Sequence, residues 1–329
     1  MWWHENRTGM VKSMTDGYGR KIDYMRISLT DNCNLRCTYC MLEGKISDIH
    51  YLPVDTVLKC VGSAVCLGIT NFRLTGGEPL IYPDIEKLIE KIKMVGGVNF
   101  IGITTNGVLL SEKADLLKAA GTDSINVSLD TVDFDEFKKV TGRDCLNKVI
   151  DGIDVALNSG IKLKINTVLR SEADVLKMTE FANDKNIDIR FIELMPVGIG
   201  EKNDIIPRKA VIEKLEKKYG KVCGVSKRHD ENGPAEYYAF QKLGVRVGLI
   251  QAVHGKFCDR CNRIRITSDA GLKPCLADNR IIDLSEALSM GKDELTEIMR
   301  KAVYEKPKSH HFEDTLCEKE TKTMNMIGG

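Results

Sequence analysis

The sequence predicts an α/β fold: an incomplete (partial) TIM-type barrel of about six βα units, with a smaller C-terminal β-containing module. Three observations predict it. Short β-branched runs alternate with amphipathic helical stretches from residue 22 to residue 219, and alternating βα units argue for a parallel sheet. Six such units are visible, fewer than the eight of a closed barrel. One face of the strands is polar, whereas strands covered by helices on both sides should be apolar nearly throughout.

The strand candidates are residues 24–29, 69–74, 98–103, 123–129, 161–168 and 187–194. Helical periodicity fills most of the gaps, at 83–95, 111–120, 145–158, 171–185 and 207–219. Pro83 and Pro207 suit first-turn positions, and Gly96, Gly121, Gly160 and Gly220 stand where helices should end. Along the strands Arg26 and Ser28 alternate with Met25, Ile27 and Leu29; Asn126 and Ser128 with Ile125, Val127 and Leu129; Lys164 and Asn166 with Leu163 and Ile165. Arg73 interrupts the second strand. With a period of two, these polar residues project away from the helices. A partly closed barrel with a wet, basic lumen accounts for the pattern, and Arg26, Arg73 and Lys164 then converge on an anionic ligand.

After about residue 235 the pattern changes. Residues 239–253 and 262–276 read as strands joined by turns, a helical stretch covers 284–304, and a polar tail follows. The expected division is an unassigned segment at 1–16, the partial barrel at 17–235, and a second module with its tail at 236–329.

Composition narrows the function. The 329 residues carry 48 Lys+Arg and 47 Asp+Glu, a formal charge of +1, which removes the broad electrostatic footprint of a nucleic-acid binder. No stretch matches the roughly 20 apolar residues of a bilayer span, and the first ten residues lack the apolar core of a secretory signal. The expectation is a cytoplasmic protein with no membrane partner. Eleven cysteines are too many, and odd in number, for a disulfide framework in a reducing compartment. Cys60, Cys66, Cys145, Cys223 and Cys317 are scattered and read as ordinary thiols. The other six fall into two groups.

Cys33, Cys37 and Cys40 follow directly on the first strand. Three thiolates within eight residues can hold three irons of a [4Fe–4S] cubane and leave the fourth iron open. A structural zinc site normally wants a fourth protein ligand, and none lies nearby, so the spacing favours a cluster. In the second group, Cys258-x2-Cys261-x13-Cys275, spacing alone leaves two readings open: a cluster, or a Cys3His zinc site completed by His254.

The first triad, with Tyr39 just before its third cysteine, resembles the signature of the radical S-adenosylmethionine (SAM) superfamily. The later strand ends agree: Thr75-Gly76-Gly77-Glu78-Pro79, Thr104-Thr105-Asn106-Gly107, Ser128-Leu129-Asp130 and Glu193-Leu194-Met195-Pro196 all lie at carboxyl ends of strands, where barrel enzymes build their sites. The second triad, continued through Asn262, Arg263, Ile264 and Arg265, is similar to the auxiliary-cluster signature of the GTP 3′,8-cyclase family of molybdenum cofactor (molybdopterin) synthesis, molybdenum cofactor biosynthesis protein A. Agreement runs through residues 19–41, 72–80, 103–110, 164–169, 191–198 and 257–267 to the closing Gly328-Gly329, and the residues before about Gly17 stand outside it.

The resemblance implies a lyase with two [4Fe–4S] clusters, on Cys33, Cys37, Cys40 and on Cys258, Cys261, Cys275, with SAM as cofactor. It implies SAM contacts at Tyr39, Gly76, Gly77, Ser128 and Met195, where glycine permits close backbone approach. GTP contacts follow at Arg26, Arg73, Thr104, Lys164, Arg263, Ile264 and Arg265. Arg263 and Arg265 are the candidates for catalytic roles, and Gly328 and Gly329 for a tail reaching the active site. The implied reaction begins with one-electron reduction and cleavage of SAM, continues with hydrogen abstraction at C3′ of the GTP ribose, and ends in attack of C3′ on C8. A flavodoxin or ferredoxin as electron donor and a homodimer are implied too. Two alternatives remain: another radical SAM enzyme with an auxiliary cluster, such as one modifying a peptide, and a zinc-stabilised binding protein.

Overall fold

In a computed structural model of the chain, the described residues are 14–40, 49–197, 206–226, 233–310, 312 and 323–328. Twelve strands are found among them: β1 (Tyr24–Ser28), β2 (Asn71–Thr75), β3 (Phe100–Thr105), β4 (Ser124–Ser128), β5 (Lys162–Leu169), β6 (Asp188–Glu193), β7 (Val222–Ser226), β8 (Glu236–Phe240), β9 (Val247–Ile250), β10 (Arg263–Ile266), β11 (Gly271–Lys273) and β12 (Ile282–Asp283). The α-helices are α1 (Val54–Cys66), α2 (Ile85–Lys93), α3 (Leu110–Ala119), α4 (Phe134–Thr141), α5 (Leu146–Asn158), α6 (Glu172–Asp184), α7 (Arg208–Tyr219), α8 (Ser285–Met290), α9 (Lys292–Tyr304) and α10 (Met324–Ile327). None is long and apolar enough to cross a membrane.

The six expected strands all form, within two residues of their expected ends. Their outward positions, among them Met25, Ile27, Leu74, Ile103, Ile125, Val127 and Ile165, are fully buried. Helix stripes cover them: in α2, Ile85, Leu88, Ile89 and Ile92 recur at i, i+3, i+4 and i+7 and are buried. Local signals set several helix ends. Asp133 caps α4 by accepting from the Glu136 N–H, and Ser171 caps α6 by accepting from the Ala173 N–H. The prolines stand slightly earlier than expected, Pro207 at the N-cap of α7 and Pro83 one residue ahead of the α2 N-cap. The stretch expected as one helix at 284–304 is two, because Gly291 at φ 142° takes a backbone conformation that ends α8 and starts α9.

The sheet order is β12-β11-β10-β1-β2-β3-β4-β5-β6-β9-β8-β7. Neighbours from β10 through β9 are parallel, so the six barrel strands gain one parallel strand at each edge: β10 beside β1 and β9 beside β6. Antiparallel partners then cover these newcomers, β11 on β10 and β8 on β9. The C-terminal strands therefore extend the barrel sheet at both ends. An unpaired strand edge exposes N–H and C=O groups that need partners, and the later segments supply them. Residue 235 lies between β7 and β8, which pair as a hairpin.

The segment before β1 is built into this arrangement. Thr15 pairs with Lys21 around a turn, and Gly17 N–H donates to Tyr304 O at the end of α9. Arg20, almost fully buried, bonds Asp16 Oδ2 at 2.5 Å and donates to the carbonyls of Cys258 (2.7 Å), Pro307 (2.7 Å) and Lys308 (2.8 Å). One guanidinium thus ties the amino-terminal turn to the second cysteine loop and to the chain after α9. Breaking a buried pair costs about 3–5 kcal/mol because it leaves an uncompensated charge. Arg20→Ala is expected to lose that much stability in urea unfolding, and an unchanged midpoint would contradict this role.

Candidate active site

The cysteine loop after β1 is held by backbone contacts. Gly77 N–H donates to Thr30 O at 2.6 Å and Glu78 N–H to Asn32 O at 2.7 Å; Arg36 and Thr38 N–H groups reach Thr141 O and Val140 O at the end of α4. A Cβ on Gly77 would stand 2.2 Å from Asn32 O, and one on Gly76 2.5 Å from Thr30 O. The double glycine is therefore required by the cysteine loop's own main chain, a reason the sequence alone did not supply. Two donors point at Cys33 Sγ, the Leu35 N–H at 3.4 Å and Asn106 Nδ2 at 3.7 Å.

Glu78 braces the loop's far side. Its carboxylate accepts from Leu80 N–H (2.9 Å), Thr105 Oγ1 (2.7 Å) and Asn106 N–H (2.7 Å). Burial pushes its pKa up to about 7 against the pull of those donors. Tyr39 donates its hydroxyl to Asp130 Oδ2 at 2.7 Å, and Asp130 accepts from Val168 N–H, joining the first loop to the ends of β4 and β5.

All six triad cysteines line one cavity of about 1290 Å³. The thiols of each triad stand near enough to perturb one another. Burial pushes Cys33 up to about 11 and Cys40 to about 12, with neighbouring acidic groups adding to it. Cys261 differs: burial pushes it up, but Arg263 and Lys306 outweigh that and bring it down to about 6. Among the described residues no three Cys, His, Asp or Glu side chains converge tightly enough for a single metal ion. His254, the fourth ligand of the zinc alternative, gives its Nδ1 to Glu193. Three thiols on a cavity wall, with N–H donors aimed at sulfur, are a donor set that fits an iron–sulfur cluster keeping one iron for another ligand.

The lumen cations divide into two banks. Arg265, Arg26 and Arg73 lie side by side on β10, β1 and β2 in cross-strand register, with Arg263 two residues before Arg265. Burial, then the Arg265, Arg73 and Arg263 charges, hold Arg26 well below the usual arginine range, against help from Tyr24. Burial and Arg263 bring Arg265 to about 10. Arg73 spends three donors inside the protein, on Tyr24 Oη (2.6 Å), Ile103 O (2.8 Å) and Ser124 Oγ (3.3 Å), and fills the space where Gly102 lacks a side chain. Lys164 stands apart from this bank. It meets Tyr237, which Arg190 and Arg246 also meet, where β5 and β6 approach β9 and β8. The sequence reading passed over Arg190, although Asp188, Arg190 and Ile192 alternate with the buried Ile189 and Phe191 as the other lumen strands do. Arg246 alternates in the same way with the buried Val245 and Val247, whereas Tyr237 carries no such signal.

Of the remaining expected residues, Tyr39, Gly76, Gly77, Thr104, Ser128 and Met195 line the same cavity. The buried Thr104 Oγ1 and Asn166 Oδ1 have no hydrogen-bond partner, as a site awaiting a polar ligand requires. Ile264 faces the other way. Alternating with Arg263 and Arg265, its side chain turns to the helix side and is fully buried in the hydrophobic core, so only its main chain can serve a ligand. The tail enters the site: Asn325 Nδ2 donates to Asp31 O at 2.9 Å, and Arg265 donates to Gly328 O. Gly328 has φ +74°, and a Cβ there would meet Thr75 Oγ1 at 2.3 Å. Gly329 and Cys317 lie outside the described residues.

Comparison with known proteins agrees with this geometry. Residues 27–182 match the Radical SAM superfamily and residues 187–312 match Molybdenum Cofactor Synthesis C. In fold, the chain is similar to Streptococcus suis SuiB in its crystal structure bound to S-adenosylmethionine, with a TM-score of 0.61 and 17% identity over 87% of this chain and 66% of that one. A partial barrel bearing a C-x3-C-x2-C loop at its carboxyl end defines a radical SAM protein, the class that works with SAM and an iron–sulfur cluster. A curated "GTP 3′,8-cyclase" of Clostridium perfringens is 40% identical over 324 residues, covering 96% of this chain and 100% of the relative, and one of Clostridium acetobutylicum is 39% identical over 322 residues with the same coverage. The chain belongs to the family of the GTP 3′,8-cyclases.

Two outcomes follow from the glycine contact and the buried acid. Gly77→Ala should cost roughly 1–3 kcal/mol by overpacking and lower the iron and acid-labile sulfide bound after reconstitution; wild-type iron content would overturn the close-approach argument. For Glu78 the folded pKa of about 7 exceeds the ordinary carboxyl value near 4.5. Its protonation therefore stabilises the metal-free fold fully below about pH 4.5, and that stability, roughly 3 kcal/mol, is lost as pH rises through 7. Urea midpoints across this window should slope downward, and Glu78→Gln should flatten the slope.

Proposed function

We propose that the chain converts GTP to 3′,8-cyclo-7,8-dihydro-GTP, in the first step of molybdenum cofactor synthesis. The observation that carries this reading is the single cavity that both cysteine triads and the arginine bank line together. Ligand pockets generally run about 300–1,000 Å³, so a cavity of about 1290 Å³ has room for more than one small molecule. Homologues of matching length named GTP 3′,8-cyclase support the same assignment.

In this reading residues 17–235 form the radical SAM core and 236–329 the auxiliary module. Cys33, Cys37 and Cys40 would hold one [4Fe–4S] cluster, and Cys258, Cys261 and Cys275 a second. When bound and reduced, the first cluster with SAM supplies a 5′-deoxyadenosyl radical able to take hydrogen from C3′ of the GTP ribose. The chain's own work is placement. Gly76, Gly77, Ser128, Met195 and the main chain near Tyr39 hold SAM. Arg26, Arg73, Thr104, Lys164, Arg263, Arg265 and the main chain of Ile264 hold GTP, and Gly328 narrows the space beside Arg265.

The arginine bank explains why a polyanion should bind. Three guanidinium groups in register, desolvated and repelling one another, are relieved by phosphate oxygens, which arginine's planar fork contacts in pairs. Fixing the triphosphate fixes the ribose, and a near-attack geometry contributes more to rate than any single contact. A flavodoxin or ferredoxin as reductant, a homodimer and a cytoplasmic location belong to the same proposal.

Reduced, anaerobically reconstituted protein incubated with SAM and GTP should release 5′-deoxyadenosine above a control lacking GTP, together with the cyclised nucleotide by mass spectrometry. Release equal to the control would favour a different radical SAM substrate, such as a peptide. Arg26→Ala should weaken GTP binding about 10- to 100-fold, the cost of lost charge-assisted hydrogen bonds, while SAM cleavage without GTP persists. Arg73 is a poorer probe, since its three internal bonds mix binding with folding.

A further inference from the structure

The second cation bank is organised around one phenol. Tyr237 on β8 is almost fully buried. Its hydroxyl receives Arg190 Nε at 2.7 Å and Lys164 Nζ at 3.3 Å. Arg246 lies over its ring, 4.6 Å from the centroid, and Lys164 lies 5.2 Å from the same centroid. Register explains how a residue so far along the sheet reaches them. Asn166, Arg190, Gly248 and Tyr237 form one cross-strand row on β5, β6, β9 and β8. Gly248 stands between Arg190 and Tyr237, and a Cβ there would come within 3.0 Å of both Arg190 Cγ and Tyr237 Cε1. The missing side chain is the gap through which the phenol crosses to the lumen strands.

The chemistry of the bank separates its members. Arg246 is turned to Asp188, meeting both carboxylate oxygens. Arg190 and Lys164 both donate to the Tyr237 hydroxyl, and these bonds to one oxygen orient the two cations together. Arg190 Nη2 also points at Asn126 Oδ1, 3.5 Å away, and the unpartnered Asn166 Oδ1 lies beside it in the row. Two oriented cations beside the unpartnered Asn166 Oδ1 on a cavity wall suit a phosphate chain.

We infer that Tyr237 is a positioning residue: it presents Lys164 and Arg190 to the phosphates of the nucleotide, and so sets the preference for a triphosphate over shorter analogues. The inference rests on the cyclase reading and adds to it a residue from the edge of the sheet. Tyr237→Phe removes the hydroxyl and keeps the ring, so packing against Arg246 and Gly248 survives.

The test compares wild type and Tyr237→Phe as reconstituted full-length proteins, by equilibrium dialysis with GTP, GDP and guanosine. GTP affinity should fall about tenfold, what one hydrogen bond to a charged group contributes, with guanosine binding unchanged and the GTP-to-GDP preference reduced. In turnover KM for GTP should rise while kcat stays close to wild type. Gly248→Ala, which pushes Arg190 and Tyr237 apart, should shift the same preference without removing any polar group. Unchanged GTP affinity in Tyr237→Phe, or equal losses for GTP and guanosine, would overturn the assignment. Wild-type protein that binds no GTP at all would sink the cyclase reading, and this inference with it.

Discussion

Burial of like charge is the constraint around which this protein is built. Arg265, Arg26 and Arg73 occupy adjacent strands in register, at a strand spacing near 4.8 Å, and like charges directly opposite one another destabilise a sheet. The arrangement persists because the other face of the same strands is almost wholly apolar. Met25 and Ile27 on β1, Phe72 and Leu74 on β2, and Ile264 and Ile266 on β10 are fully buried beneath the helices. The alternation that forces three guanidinium groups together also secures the strands that carry them. Tyr24 is part of the relief: burial alone would push its phenol up, yet Arg73 and Arg26 pull it below its usual range.

The second constraint is closure. A six-stranded parallel sheet has two open edges, and here both are covered from the C-terminal segment, by β10 on β1 and by β9 on β6. Each covering strand brings chemistry with it. The loop before β10 carries Cys258 and Cys261, β11 leads to Cys275, Arg246 stands immediately before β9, and β8 carries Tyr237. Satisfying backbone hydrogen bonds and assembling the cavity wall are one event.

Much of this was legible in the sequence, and the boundary of legibility is physical. Period-two alternation revealed the lumen face of β1, β4 and β5, because a strand's side chains report its two environments directly. Arg190 obeys the same rule and needed only the same count on β6. Tyr237 could not be found that way: it reaches the lumen only because β8 pairs with β9, β9 pairs with β6, and Gly248 leaves room, three non-local facts. The double glycine was legible as a close approach, but its partner, the main chain at Thr30 and Asn32, was not. Ile264 shows the converse, since a motif names neighbours without saying which of their side chains turn inward. Gly291 broke a periodic stretch into α8 and α9 by backbone geometry that apolar spacing does not register.

The pairing of Tyr24 with Arg263 also has a temporal side. During synthesis, β1 emerges long before the strand that covers its outer edge, and contacts so distant in sequence slow folding. Until the ribosome has released the region around Arg263, the nascent chain carries a bare strand margin, the kind of surface that invites aggregation and chaperone capture. Before that moment the loop bearing Cys33, Cys37 and Cys40 stands at the edge of an open half-shell, so the wall that encloses it is among the last parts of the molecule to be made.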